Sequence, residues 1–272
     1  MAVLVHFRPA LVALHLAAAA NAAQPAALAT ALDTLREQKS YSWEVINADP
    51  GPVAQSYETR RGTVTTVQQN TSPHVKGSLA RNGDILLQRE WPDGLRLDTV
   101  VMADGAMVTK TPDGWMTNQE ILAAQAEERL RSSGVTPRQI WLRRADRPDV
   151  RPPHQELVPL LKSSIRFTAS GDTYTAQLRL KTGGSGKADE EDSAPPIDVA
   201  VTINLSGGII RDYEVKIEGT RSVSGARIQL PVSDQRIVIL TYLPVKIDIP
   251  DEAREKLAAS RAAGPGRERA AK

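Results

Sequence analysis

The chain has 272 residues, 41% of them hydrophobic, no cysteine, and 34 basic against 32 acidic side chains, for a formal charge of +2. That composition suits a chain with a sizeable core and argues against global disorder, and without cysteine there is no disulfide framework. Near-balanced charge gives no long-range pull toward DNA or RNA, so no nucleic-acid partner is expected.

The N-terminus, MAVLVHFRPALVALHLAAAANAAQP, places Arg8 ahead of an 11-residue apolar stretch from Ala10 to Ala20, followed by small residues. This is the layout of a secretory signal peptide over residues 1–22, with cleavage expected after Ala22 or Ala23. The stretch is shorter than the ~20 residues that span a bilayer, so no permanent transmembrane anchor is expected. The competing reading is an alanine-rich amphipathic helix left in place. With no cysteine to carry a lipid anchor, the mature protein is expected to be free in a periplasm or secreted.

Next, Leu28, Ala31, Leu32 and Leu35 share one face of a predicted helix over 26–40. Tyr41, Trp43 and Val45 alternate with polar residues as a strand, and YETRRGTVTTVQQ reads as a longer one. Four turn signals then follow in a row. Asn82-Gly83 and Asp104-Gly105 suit two-residue hairpin loops, while Pro92-Asp93-Gly94 and Pro112-Asp113-Gly114 suit three-residue loops. An antiparallel meander from about Val75 to Thr117 is the result.

In that register Glu90 faces Arg96, and one sheet face carries Ile85, Leu87, Trp91, Leu95, Leu97 and Val101 and is wholly apolar. The other carries Leu86, Val100 and Met102 beside charged pairs. Met102 is expected opposite Met107, Val101 opposite Val108, and Trp115 opposite Thr111 on the methionine face. A sheet with one wet face alternates apolar and polar residues, whereas this ribbon is apolar on both sides near Met102 and Trp115, so both sides are expected to be covered.

A capping box, Thr117 to Glu120, opens a helix to about Arg131. Thr136-Pro137 opens a second, expected to bury Ile140 and Trp141, and PPHQELVPLLKS a third that Pro159 is expected to kink. From Ser164 the period returns to two. Hairpins follow on either side of an acidic loop (GGSGKADEEDSAPP), and Ile237 to Leu240 read as a strand buried on both faces. Residues 26–250 are taken as one domain and 251–272 as a polar C-terminal tail. The fold class is α+β: a strongly curved antiparallel sheet, an incomplete barrel, with helices packed on its concave side.

The order of elements, the segment Val101–Val108 with its Asp104-Gly105 turn, and the closing Tyr242-Leu243-Pro244-Val245 with Ile249-Pro250 resemble the LolA-like, LolB-like and LppX/LprG-like lipoprotein carriers and lipid-binding proteins. The resemblance spans about residues 26 to 250 and implies an incomplete barrel holding an acyl chain in an apolar cavity. It transfers no individual contact residue. The arginine-rich segment 138–151 departs from that pattern.

Catalysis finds no constellation. His74 and His154 sit in polar, proline-containing segments and read as surface residues, and no nucleophile elbow or zinc-protease motif occurs. Gly183 to Lys187 fails the phosphate-loop pattern, and Asp189 to Asp192 lack calcium-loop spacing. No enzyme activity, metal or cofactor is expected. Trp43, Trp91, Met102, Met107, Trp115 and Trp141 are either plain core or the wall of a lipid cavity. Arg138, Arg143, Arg144 and Arg147 are either solvated or internally paired, or they meet lipid headgroups or an acidic partner protein. The expected function is non-enzymatic binding of a lipid or the acyl chain of a lipoprotein. The alternative is an envelope protein-interaction module without a lipid ligand.

Overall fold

The computed structural model describes residues 25–47, 53–59, 62–68, 72–131, 136–146, 151–162, 165–180, 197–222 and 229–262. The expected signal peptide, the glycine-rich acidic loop and Arg147 lie outside them. The described elements are α1 (Ala26–Glu37), β1 (Tyr41–Asn47), β2 (Val53–Thr59), β3 (Gly62–Gln68), β4 (His74–Leu79), β5 (Ile85–Glu90), β6 (Arg96–Val101), β7 (Met107–Thr111) and β8 (Gly114–Thr117). They continue with α2 (Asn118–Arg131), α3 (Pro137–Ala145), α4 (Pro153–Lys162), β9 (Thr168–Ser170), β10 (Thr173–Leu180), β11 (Ile197–Ser206), β12 (Ile209–Ser222), β13 (Gln229–Thr241) and α5 (Asp251–Ala262).

Eleven strands form one sheet in the order β8-β7-β6-β5-β4-β1-β13-β12-β11-β10-β9, and its two ends do not meet. Every neighbouring pair is antiparallel. The stretch expected as one long strand is instead a hairpin, β2–β3, forming a sheet of its own. Gly62 pairs with Thr59 at its turn.

Alternation assigns the two sheet faces. On the face that carries α1 to α4, termed inner only for that reason, α1 buries the four residues its spacing marked, Leu28, Ala31, Leu32 and Leu35, and joins Leu157 of α4 over β1, β4 and β10–β13. Ile121 and Ala124 of α2, with Trp141, Leu142 and Ala145 of α3, cover Trp91 and Leu97 on the same face. Leu142 is buried where Ile140 was expected, and Ile140 is only half-buried. α4 runs unbroken through Pro159. Proline there removes one helical hydrogen bond, while the preceding turn is held to the sheet by His154, Glu156 and Leu157.

Among the described residues the outer face is half-buried or exposed over most of the sheet. Ile239, expected to be covered, is 38% exposed, while its neighbours Val238 and Leu240 are buried, so β13 is buried on one face only. The cover lies at the other end. Ala253 and Leu257 of α5 pack on Val100, Val108 and Trp115, with Leu86 and Met102 at the edge. The segment expected as a polar tail therefore supplies the second covering layer of the meander.

Two loops differ from expectation and shift the register. Met102 N donates to Ala106 O and Gly105 N to Met102 O, both at 2.8 Å, closing a three-residue loop with Gly105 at φ 85°. Ala80 and Asp84 close an equivalent loop around Asn82-Gly83. The Asp84 carboxylate accepts from Asn82 Nδ2 (2.7 Å) and from Ala103 N (3.1 Å), so each loop braces the other. Val101 consequently pairs with Met107 and Val100 with Val108. One residue of slip turns a side chain to the other face, so Met107 lies on the inner face and Met102 on the outer. Across the Pro112-Asp113 turn Trp115 pairs with Lys110, not Thr111, which puts it on the outer face with Met102.

Candidate functional site

The six apolar candidates divide among different layers. Trp43 lies in the large inner cluster, Trp91 and Trp141 under α2 and α3, and Trp115 and Met102 under α5. Met107 is half-buried on the inner face. All four tryptophans are at least nine-tenths buried. No single cavity gathers all six, because the outer-face pair is separated from the others by the sheet itself.

Trp43 has the most unusual surroundings. β1 places it between β13 and β4, opposite Leu240 on one side and Gly77 on the other. Its indole lies across Gly77, so a methyl group at residue 77 would sit 2.0 Å from Trp43 Cε2. Trp43 is 3% exposed, and its Nε1 has no hydrogen-bond partner among the described residues. A buried N–H left unpaired costs free energy, and an oxygen brought into this apolar wall would recover it.

Beside Trp43, α4 is tied to the sheet by polar side chains. Tyr41 Oη and His154 Nδ1 are 2.6 Å apart. Burial lowers the His154 pKa from its ordinary 6.5 and raises that of Tyr41, so at neutral pH a neutral imidazole meets a neutral phenol, and the imidazole tautomer sets which of them donates. Tyr213, raised well above the usual range by burial, donates to Glu156 at 2.7 Å, and Arg236 also binds Glu156. Tyr242, pushed up to about 12 by burial, donates to Ile210 O. Expected as a surface residue, His154 is a half-buried anchor, while His74 is a partly exposed partner of Glu44 at 2.8 Å. Among the described residues, no group of three or more His, Cys, Asp or Glu is placed to hold a metal ion.

The arginines are sorted by their partners. Arg138 reaches Asp113 at 2.7 Å and Glu128 at 3.3 Å, and its guanidinium lies 5.8 Å from the Trp141 ring. Arg144 reaches Asp93 at 2.6 Å and lies 5.1 Å from the Trp91 ring. Both are used internally. Arg143 forms no ion pair among the described residues and lines a groove with Gln125, Arg129 and Gln139.

Sequence reasoning missed Arg89. It lies on the face expected to be wholly apolar, 5% exposed, donating to Arg144 O at 2.8 Å and to Thr99 Oγ1 at 2.9 Å, and Thr99 bonds Thr109. Its guanidinium is 5.4 Å from the Trp91 ring. The signal was its position, two residues from Leu87 and two from Trp91 on one strand face. A cation at the C-terminal carbonyls of α3 is a favourable place for this charge. No family model matches the chain, and no curated protein sequence matches it.

Proposed function

We propose that the chain is an exported, non-enzymatic binding protein that holds an acyl chain of a lipid or lipoprotein against the inner face of its sheet. In this proposal the open sheet curves as an incomplete barrel, with the helices on its concave side. The observation that carries the proposal is Trp43 Nε1, a buried donor without a partner among the described residues, in an otherwise apolar wall. An acyl ester or fatty acid offers a matching pattern: a long apolar chain with carbonyl oxygen at one end. Each methylene taken from water contributes about 0.8 kcal/mol, so ten of them suffice for binding without further polar contacts.

α1 packs with α4 and α2 with α3, the first pair over the strands that carry Trp43 and Gly77 and the second over Trp91 and Leu97. No described helix is long and apolar enough to cross a membrane. The alternative of an interaction module built on the arginine cluster has less support, since Arg138 and Arg144 are already paired.

The test is native mass spectrometry of residues 23–272, purified from a periplasm without detergent, followed by organic extraction. The expected result is a stoichiometric lipid adduct that disappears on extraction. Trp43→Phe, which keeps the bulk and removes the N–H, is expected to weaken uptake of a fluorescent fatty acid about fivefold, the worth of one hydrogen bond. It is expected to leave stability unchanged or slightly raised. A clean apo mass with no fatty-acid uptake, or unchanged uptake in Trp43→Phe, overturns the proposal.

A further inference from the structure

We propose that the exposed side of α2, together with the groove between α2 and α3, docks on a membrane surface rich in anionic phospholipid. The inference does not depend on acyl binding at the inner face and concerns a different surface.

Arg131, Arg138 and Arg144 each have a carboxylate partner, in Glu127, in Asp113 and Glu128, and in Asp93. Arg129 and Arg143 form no ion pair among the described residues, and they are the two that line the groove. The groove is built from a repeated spacing, Gln125 four residues before Arg129 on α2 and Gln139 four before Arg143 on α3. Both glutamines are more than nine-tenths buried. Gln125 Nε2 donates to Leu142 O at 3.0 Å and Gln139 Nε2 to Glu128 O at 3.2 Å, so each clamps the opposite helix and the floor is fixed. Two unpaired guanidiniums over a rigid neutral floor form a site for phosphate oxygens.

What directs that phosphate to a lipid is the adjoining face of α2. Gln119, Leu122, Ala123, Ala126 and Leu130 are all exposed and none is charged. Leu130 is 90% exposed and Leu122 42%. Residues 122, 126 and 130 are four apart and form one stripe, with Arg129 at its edge beside the groove. An isolated exposed leucine is ordinary, but an uncharged stripe with two leucines, edged by Arg129 on the groove side and by the Glu127–Arg131 pair on the other, has the composition of an interfacial surface. The leucines would enter the acyl boundary while Arg129 and Arg143 take headgroup phosphates.

Cosedimentation with vesicles of equal parts phosphatidylglycerol and phosphatidylcholine, against pure phosphatidylcholine, tests this. Binding is expected only to the anionic vesicles and is expected to weaken with added salt. Arg129→Ala/Arg143→Ala should lose about thirtyfold, the effect of two arginines near an anionic surface. Leu130→Ser, at an exposed site that leaves the fold intact, should lose about tenfold, the worth of burying one leucine. No binding by the wild-type protein, or unchanged binding by the double arginine variant, overturns the proposal. So does competition by millimolar inorganic phosphate combined with unchanged binding of Leu130→Ser, which would mark a free-anion site. A failure here leaves the lipid adduct unaffected, because that is read by mass.

Discussion

At the scale of single residues the inner face depends on one contact that leaves no room for change. Trp43 occupies the space where any other residue at 77 would place its Cβ, so the indole and the glycine fit as a pair. Gly77→Ala is expected to destabilise the protein by about 1–3 kcal/mol through overpacking, measured by urea unfolding. In a Trp43→Ala background the same change should cost close to nothing, which isolates the pair as the source. Equal cost in both backgrounds would place the effect in the backbone of β4. The glycine was readable in the sequence, but its reason was not, because the two residues meet across a strand pair fixed by distant segments. Arg89 was hidden differently. Its alternation marked it as inner, yet a charged residue on a face otherwise rich in Leu and Trp gives no sign of the carbonyl it will meet on α3.

At the scale of elements, local chemistry was legible wherever it was self-contained. The capping box at Thr117 and Glu120 forms both of its bonds, Thr117 N to Glu120 at 2.7 Å and Glu120 N to Thr117 Oγ1 at 3.2 Å. Thr136 caps α3 by accepting from Gln139 N. The Pro92-Asp93-Gly94 loop gives the pairing of Glu90 with Arg96 that its length requires. Illegible were elements whose reason lies elsewhere in the chain. Asp104-Gly105 closes as a three-residue loop in which Asp84, on a neighbouring loop, takes the Ala103 N–H. α5 reads as a polar tail, since only Ala253 and Leu257 among its first seven residues are fully buried. Yet the apolar outer face of β6–β8 required a cover, and α5 supplies it. Lys256 binds Glu120 and Arg261 reaches Asp104 at 2.8 Å, fixing both ends of the contact. Leu257→Ala is therefore expected to cost about 2–4 kcal/mol in urea unfolding, as for a buried leucine. The exposed Glu255→Ala should cost nothing measurable. If Leu257→Ala is also silent, α5 is not the cover.

At the scale of the whole molecule, the strand order joins two halves of the sheet through its N-terminal strand. β1 pairs with β13 on one side and β4 on the other, so each half pairs with β1 across an edge that would otherwise be bare. The sheet then ends in the short strands β8 and β9, of 4 and 3 residues. α4 reports on this junction, because His154 bonds Tyr41 on β1 while Glu156 bonds Tyr213 on β12. The group that meets His154 among the described residues is the Tyr41 phenol, and two residues along α4 Glu156 is held by Tyr213 and Arg236. Burial lowers the His154 pKa below 6.5, so the unfolded chain binds its proton more readily than the native one. Stability from this group is therefore fully present above about pH 6.5 and is lost as the pH falls from there to the folded pKa. Asp234, raised by burial, acts with the opposite sign at lower pH, where the native state keeps the proton longer. His154→Gln should cost about 1 kcal/mol at pH 7.5 through loss of the Tyr41 bond. The gap to the wild-type protein should narrow at pH 5.5, where unfolding lets the wild-type imidazole take up a proton and the variant has no such group. Urea unfolding at the two pH values measures both numbers, and a gap that stays constant or widens would show that the junction between the two halves is insensitive to His154 protonation.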